Sequence, residues 1–141
     1  MTADKTLEIF ASQIEMHYDE LDTNAINFQF VNGYLSIQIQ IYIDPDNSPE
    51  ENEPYFEMQD DSTGQYINIK RVYLDKNLIS IKLSEAFCLK YYNINIYLPY
   101  ELNFNLIDFF VNHLFLGKYV EYSDSIPNSL RIKQTQFRDF L

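Results

Sequence analysis

The sequence predicts an α+β fold: a mainly antiparallel sheet of about six strands with one main C-terminal helix packed on one face. The strongest indication is residues 35–43, where Ile and Leu alternate strictly with polar residues and Tyr. Turn-forming tracts separate this segment from other short alternating segments. Residues 102–116 instead form an almost continuous apolar segment with one polar stripe, as expected for a helix lying on a sheet. A chain of 141 residues fits a single domain over 1–141, ending in a tail over 118–141 whose packing the pattern does not predict.

Alternation of apolar and polar residues predicts the strands one by one. The Asn32-Gly33 pair is a strong hairpin signal between two of them, and Asp75-Lys76-Asn77 is expected to turn a second hairpin over 66–83. A register change is expected near Arg71 in that hairpin. The predicted strands are 6–18 with a break near 11–12, 26–31, 35–43, 55–59, 66–74, 78–83 and 94–98. A further short strand is predicted near 130–135.

Two helices are predicted between and after these strands. Ser84 is a plausible N-cap for about two turns that carry Phe87, Cys88 and Tyr91 on one face. The main helix, 102–116, ends before Gly117, and its polar stripe consists of Glu101, Asn105, Asp108 and Asn112. The expected core comprises Ile37, Ile39, Ile41, Phe109 and Phe110.

Acidic residues are distributed very unevenly. The net charge is −11, and residues 44–61 contain eight acidic residues and no basic one, whereas residues 62–141 contain seven acidic and nine basic residues. Such a chain repels nucleic acid and anionic membranes and attracts a basic partner. The competing interpretation is that the acidity keeps a Tyr- and Phe-rich domain soluble. No stretch approaches the roughly 18 apolar residues that a spanning helix needs, so we expect no membrane contact.

The most acidic segment is also the best candidate for a binding surface. Pro45, Pro49 and Pro54 disrupt strand pairing between Asp44 and Pro54, so a solvated loop is expected there. The Asp44-x-Asp46 pattern invites a calcium interpretation, but the Gly and Glu that an EF-hand loop requires are missing. Residues 60–64 are interpreted as an Asp-rich turn. The candidate partner-binding residues are Tyr42, Asp44, Asp46, Glu50, Glu51, Glu53, Tyr55, Glu57, Asp60 and Asp61.

Catalytic signatures are missing from the sequence. His17 and His113 lie far apart, Cys88 is the single cysteine, and three glycines cannot supply a phosphate-binding loop. We therefore expect a non-enzymatic protein with no catalytic residues, no metal site and no cofactor.

Residues 53–98 resemble a bacterial immunity-protein family of polymorphic toxin systems, the type known as immunity protein ten. The resemblance consists of an aromatic strand with an acid, a polar Asp-rich turn with Gly, a Tyr, and a hairpin followed by a short helix and an Ile-rich strand. The positions that carry it are Tyr55, Phe56, Glu57, Asp60, Asp61, Gly64, Tyr66, Ile69, Val72, Leu74, Leu78, Ile81 and Leu83. The chain departs from the family pattern at Asp61, where an amide is expected, and in its long tail past Gly117.

This resemblance implies a cytoplasmic antitoxin that binds a cognate toxin domain made by the same cell and blocks it without catalysis. The acidity predicts that the toxin domain is basic. The alternative is an acidic secretion-effector chaperone or adaptor, a class that often dimerises, so a homodimer stays open. The N-terminus lacks an Arg-rich segment and an early apolar run, so no signal or transit peptide is expected.

Overall fold

The computed structural model describes residues 5–41, 46, 53–114 and 119–132, and leaves out the side chains of 60–62. Within these residues, ten strands form two five-stranded sheets, accompanied by one short helix. The expected α+β class with mainly antiparallel strands is therefore confirmed. The expected number of about six strands, in one sheet, is wrong.

The strands take these bounds: β1 (Lys5–Phe10), β2 (Gln13–Glu20), β3 (Thr23–Phe30), β4 (Gly33–Gln40), β5 (Tyr55–Met58), β6 (Asp60–Tyr66), β7 (Ile69–Asp75), β8 (Leu78–Phe87), β9 (Tyr91–Tyr97) and β10 (Val120–Tyr122). The first sheet, called sheet I, has the order β1-β9-β8-β7-β10. The second, called sheet II, is a meander of β2 to β6 in chain order. Sheet II is antiparallel throughout, whereas β1 pairs with β9, and β10 with β7, in parallel.

The predicted break near residues 11–12 is the point where the chain passes from sheet I to sheet II. The backbone N–H of Ala11 donates to the carbonyl of Tyr97 at 2.9 Å, in sheet I. The next N–H, of Ser12, donates to the carbonyl of Gln29 at 2.7 Å, in sheet II. Because consecutive amides bond to different sheets, the alternating segment 6–18 becomes two strands.

The inner faces of both sheets contribute to one hydrophobic core. Phe56 of sheet II contacts Phe87 of sheet I, with ring centroids 5.9 Å apart. The predicted core residues Ile37, Ile39, Phe109 and Phe110 are buried, as expected, whereas Ile41, beyond the end of β4, is only half-buried.

The helix begins two residues later than predicted and changes type along its length. It begins as an α-helix, α1 (Phe104–Asp108), and continues as a π-helical segment over Phe109–Leu114. Asn103 is its N-cap, with Oδ1 accepting from the Leu106 amide at 2.9 Å. Residues 115 and 116, the end of the predicted helix, lie outside the described residues.

This helical segment packs on the inner face of sheet II. Phe110 lies over Phe28 of β3, with ring centroids 6.4 Å apart. Asn24 of the same strand donates from Nδ2 to the carbonyl of His113 at 2.8 Å, satisfying one of the orphan carbonyls at the helix end. The predicted packing of the helix on one sheet face is therefore confirmed.

The predicted helix after Ser84 is wrong, because β8 continues through Phe87 and turns back into β9. Phe87 and Tyr91 form a cross-strand pair around a three-residue turn in which Cys88 and Leu89 have positive φ. The i,i+4 spacing of two aromatic residues fits both a helical face and this hairpin, so the spacing could not distinguish them. Cys88 is half-buried in the turn, where burial raises the pKa of its thiol.

The predicted turn at 60–64 is also wrong, since those residues belong to β6. The turn lies one residue earlier, at Gln59, where φ is 71°. Thr63 supports it: its Oγ1 accepts from the Met58 amide at 2.8 Å and donates to the Met58 carbonyl at 2.6 Å. The hydroxyl replaces ladder bonds that the bulge between β5 and β6 interrupts.

The described part of the tail is packed on sheet I. Strand β10 adds to the edge of β7, and Tyr122 Oη donates to the Ile132 carbonyl at 2.8 Å. Arg131 donates to the carbonyls of Ile126 and Ser123 at 3.0 and 3.1 Å. The strand predicted near 130–135 is not found in its described part, which has a 3₁₀ turn over Asn128–Leu130 and no strand at 131–132; residues 133–141 lie outside the described residues.

Candidate functional site

The outer face of sheet II is polar and is built by the alternation of its strands. The even-numbered apolar residues of β3 and the odd-numbered ones of β4 point into the core, so their neighbours face outwards. Strand pairing then arranges the outward side chains in rows. The middle row, called the central row, consists of Glu15, Asn27, Ser36 and Glu57.

An open cavity of about 640 Å³ lies over the central row. Its floor contains Asn27 and Ser36, whose side chains are shorter than those of the flanking rows. Ser36 is only 2% exposed although it faces outwards, because taller side chains stand around it. Gln29 and Tyr34 line one side of the cavity and Gln38 the other, while Glu57 lies at one end.

The polar side chains of this face are held by hydrogen bonds to one another. Tyr34 Oη donates to Oε2 of Glu57 at 2.6 Å, the length of a charge-assisted bond. Gln38 Nε2 donates to Ser36 Oγ at 3.2 Å, and Gln29 Nε2 to Glu15 Oε1 at 3.4 Å. The surface is therefore largely preorganised, which lowers the entropy lost when a partner binds.

The edge strand β2 adds a cluster of ionisable groups beside the cavity. His17 lies between two carboxylates, with Nδ1 2.8 Å from Glu20 Oε2 and Nε2 3.5 Å from Glu15 Oε2. These three residues, with Thr23, Asn27 and Gln38, form a polar surface that continues the central row toward the β2–β3 turn.

An aromatic pair occupies the opposite edge of the same face. The rings of Tyr55 and Tyr66 lie with centroids 5.0 Å apart, on neighbouring strands β5 and β6. Together with Gln40 and Glu53 they border a smaller cavity of about 160 Å³. Tyrosine rings with polar ends are common anchors of protein interfaces.

The Lys and Arg residues of the strands are confined to one of the two sheets. The sequence contains no Lys or Arg between Lys5 and Lys70, and twelve acidic residues fall between Gln13 and Tyr66, the span of sheet II with its connections. Sheet I carries basic residues on its outer face, including Lys82 and Arg71, which oppose one another on neighbouring strands. Sheet II is thus the negative side of the molecule.

The structure places some of the predicted site residues on this face and leaves others undescribed. Tyr55, Glu57 and Glu53 border the two cavities of sheet II, and Asp46 is exposed in the connection between β4 and β5. Asp60 and Asp61 lie in β6, and for these two residues only the backbone is described. The predicted positions outside the described residues are Tyr42, Asp44, Glu50 and Glu51.

The sequence interpretation missed the centre of the face, namely Asn27, Tyr34, Ser36 and Gln38. Their signal was present in the alternation of β3 and β4, which predicts that these residues share the polar side. Attention to charge density favoured the loop after β4 instead. The neutral amides and hydroxyls that form the cavity do not appear in a count of charges.

The described residues contain neither a group of metal ligands nor a helix that could span a membrane. Among the residues described, no three His, Cys, Asp or Glu side chains are grouped as metal ligands. No helix in that part of the chain is long and apolar enough to traverse a bilayer.

Comparison with protein-family models, with curated proteins and with solved structures gives no match to this chain.

Proposed function

We propose that this protein is a non-enzymatic immunity protein that binds a basic toxin domain and neutralises it by covering its surface with the outer face of sheet II. The observation that supports this most is the composition of that face: a hydrogen-bonded, concave surface on a sheet whose span in the sequence, from Gln13 to Tyr66, has twelve acidic residues and no Lys or Arg. The resemblance of residues 53–98 to an immunity-protein family points in the same direction.

The charge of sheet II supports rapid capture of a basic partner. A surface of one sign accelerates diffusional encounter with a surface of the other sign, and salt screens this effect over about 8 Å at physiological ionic strength. In the sequence, an acidic segment between Gln40 and Tyr55 connects β4 to β5, both strands of sheet II.

The aromatic residues of the face support retention of the partner after encounter. Tyr34 and the Tyr55–Tyr66 pair present ring surface next to polar groups, the combination found in interface residues that contribute most of the binding energy. Fast association from charge and slow dissociation from aromatic contacts are what an antitoxin needs, because it must block its partner before damage occurs.

Affinity purification of the tagged chain from the cells that make it, followed by an activity assay of the purified partner, tests this function. We expect a basic partner whose toxic activity falls to background when one equivalent of the chain is added. A partner that binds and stays fully active would support the chaperone or adaptor alternative and contradict the immunity proposal.

Association kinetics test whether the acidic side makes the contact. Changing Glu50, Glu51 and Glu53 to Gln is expected to slow association about tenfold at low salt, with little change in dissociation. The matched control changes Glu85, Glu101 and Glu121 of the other half of the chain to Gln, with the same loss of charge. Equal slowing in both variants would show that only net charge matters and that sheet II is not the contact surface.

A further inference from the structure

We propose that the cavity over the central row receives an arginine side chain of the partner, with Glu57 as the residue that pairs with its guanidinium. This inference rests on the proposed function, because it identifies the group that the acidic face binds. The supporting observation is that Tyr34, Ser36, Gln38 and Glu57 line this cavity and are joined in pairs by hydrogen bonds.

Glu57 is held in one orientation and keeps capacity for a ligand. The Tyr34 hydroxyl binds one carboxylate oxygen at 2.6 Å and so fixes the side chain at the end of the cavity. An ionised carboxylate has about four acceptor positions on its two oxygens, so the bond from Tyr34, the one that the described residues make to it, leaves room for a planar donor pair. No Lys or Arg occurs in the sequence between Lys5 and Lys70, so no strand of sheet II carries a Lys or Arg that could pair with it.

The walls of the cavity favour a guanidinium over an ammonium group. The amide nitrogens of Gln38 and Gln29, two residues that line the cavity, donate to Ser36 and Glu15, and an amide side chain also has a carbonyl oxygen that can accept. A guanidinium presents five donors in one plane and is weakly hydrated, so it can use the carboxylate and several neutral acceptors together. An ammonium group is a strongly hydrated point charge with three donors and gains less from such a wall.

The size of the cavity indicates that the arginine belongs to a larger partner. A volume of about 640 Å³ exceeds what a single guanidinium fills and is open to one side, so a loop or strand that carries the arginine can enter with it. The ring of Tyr34 at the wall offers a surface for stacking of the guanidinium plane.

Titration of the isotope-labelled full chain with Nα-acetyl-arginine amide, followed by amide chemical shifts, tests the site without the partner. We expect saturable shifts concentrated at Asn27, Ser36 and Glu57. Nα-acetyl-citrulline amide has the same shape without the charge and should produce no saturable shifts, while Nα-acetyl-lysine amide should bind more weakly than the arginine compound. Shifts spread over the whole acidic surface, or equal for arginine and lysine, would overturn the proposal.

Variants separate the cavity from the general negative field. Glu57→Gln should weaken arginine binding about tenfold, the lower end for a hydrogen bond to a charged group. Asp22→Asn is the matched control, because it removes one charge from the same sheet at a turn outside the cavity. Tyr34→Phe, which keeps the ring and removes the hydroxyl, should weaken binding about threefold and serves if Glu57→Gln does not fold. An equal loss in Asp22→Asn and Glu57→Gln would contradict a defined site.

The arginine titration and the toxin activity assay distinguish a failure of this inference from a failure of the proposed function. A chain that neutralises a basic toxin but does not bind the arginine compound contradicts the arginine site alone. A chain that binds the compound at Glu57 but leaves every purified partner active contradicts the immunity function alone.

Discussion

Gly64 lies under the phenol ring of Tyr55, at a distance that leaves no space for a side chain. A Cβ at this position would overlap the Oη and Cζ atoms of Tyr55 on the neighbouring strand. The glycine therefore allows the Tyr55 ring to lie flat on β6, next to Tyr66. Tyr55 was predicted from sequence to bind a partner, and this contact shows what positions it.

Replacement of Gly64 by Ala should destabilise the protein by about 1–3 kcal/mol, the usual cost of forcing atoms into a filled site. In the Tyr55→Ala background the same replacement should cost much less, because the ring that it would strike is gone. Urea unfolding of the two single variants and the double variant measures this coupling. Equal costs in both backgrounds would mean that another contact excludes a side chain at Gly64.

Asp75 is a second residue for which a testable prediction can be made, because its hydrogen bonds should stabilise the folded protein in a pH-dependent way. Its Oδ1 accepts hydrogen bonds from Ser125 Oγ at 2.6 Å, Ser123 Oγ at 2.7 Å and the Lys76 amide at 2.8 Å, which join the tail to the β7–β8 turn. These bonds favour the ionised form, the one from Ser125 most, and lower the pKa of Asp75 below its usual value.

Because the folded-state pKa is the lower one, the stabilisation from Asp75 is fully present above its unfolded pKa of about 3.9 and is lost as pH falls through the folded value. Asp75→Asn should therefore destabilise the protein at pH 7 by about 1 kcal/mol, and the difference from the unchanged protein should shrink below about pH 4. Thermal unfolding of both proteins from pH 7 to pH 3 measures this difference in stability. A difference that is constant over this range would exclude ionisation of Asp75 as the cause.

At the scale of elements, the β2–β3 turn contains a residue, Leu21, that does not favour its geometry. Leu21 and Asp22 both have positive φ, 54° and 61°, as in a type I′ turn, which prefers Asn-Gly. Leu21 is also 97% exposed, so burial does not compensate for the strain.

Leu21→Asn should stabilise the protein by about 1 kcal/mol, since Asn tolerates the left-handed region better than Leu. The control is Val31→Asn at the β3–β4 turn, because Val31 is 94% exposed but does not have positive φ. That control should change stability by less than about 0.5 kcal/mol. Chemical denaturation compares the two; a similar gain at both positions would indicate an effect of lost surface hydrophobicity and not of turn geometry.

Several elements could be predicted from local sequence because their signals are local. The alternation of β3 and β4 and the register shift near Arg71 agree with the structure. The hairpin expected at Asn32-Gly33 forms, but its turn lies one residue earlier, at Val31-Asn32, because Gly33 pairs with Phe30. The helix after Ser84 and the turn at residues 60–64 were wrong, since two residues four apart, or a polar Asp-rich tract, suit more than one backbone conformation. Pairing with a neighbouring strand decided both cases.

At the scale of the whole molecule, like charges gathered on sheet II repel one another. The span from Gln13 to Tyr66 has twelve acidic residues and no Lys or Arg, so their repulsion raises the free energy of the folded state, and added salt should reduce this cost by screening. The melting temperature should therefore rise as NaCl increases from about 10 to 300 mM, a range in which the Debye length falls from about 30 Å to less than 8 Å.

Removing charges from sheet II should reduce this dependence on salt. The variant Asp19→Asn with Asp22→Asn and Glu53→Gln is expected to melt higher at low salt and to gain less from NaCl. The control changes Glu101 and Glu121, which pair with Lys76 at 3.3 Å and Arg71 at 3.7 Å, and should not melt higher at low salt. Identical salt dependence in all three proteins would show that the acidic residues are too far apart to interact.

The sequence by itself determined the class of the fold, most strand positions, much of the core and the acidity of its first half, because periodicity and charge are properties of a local segment. The tertiary structure alone decided that residues 6–18 divide between two sheets and that β1 pairs with β9 in parallel. It also decided that Tyr34, Ser36 and Glu57 meet around one cavity, although Glu57 was already a candidate. Those outcomes depend on which distant strands bury their apolar faces together, a choice made by the summed burial of the whole chain and not by any segment's own pattern.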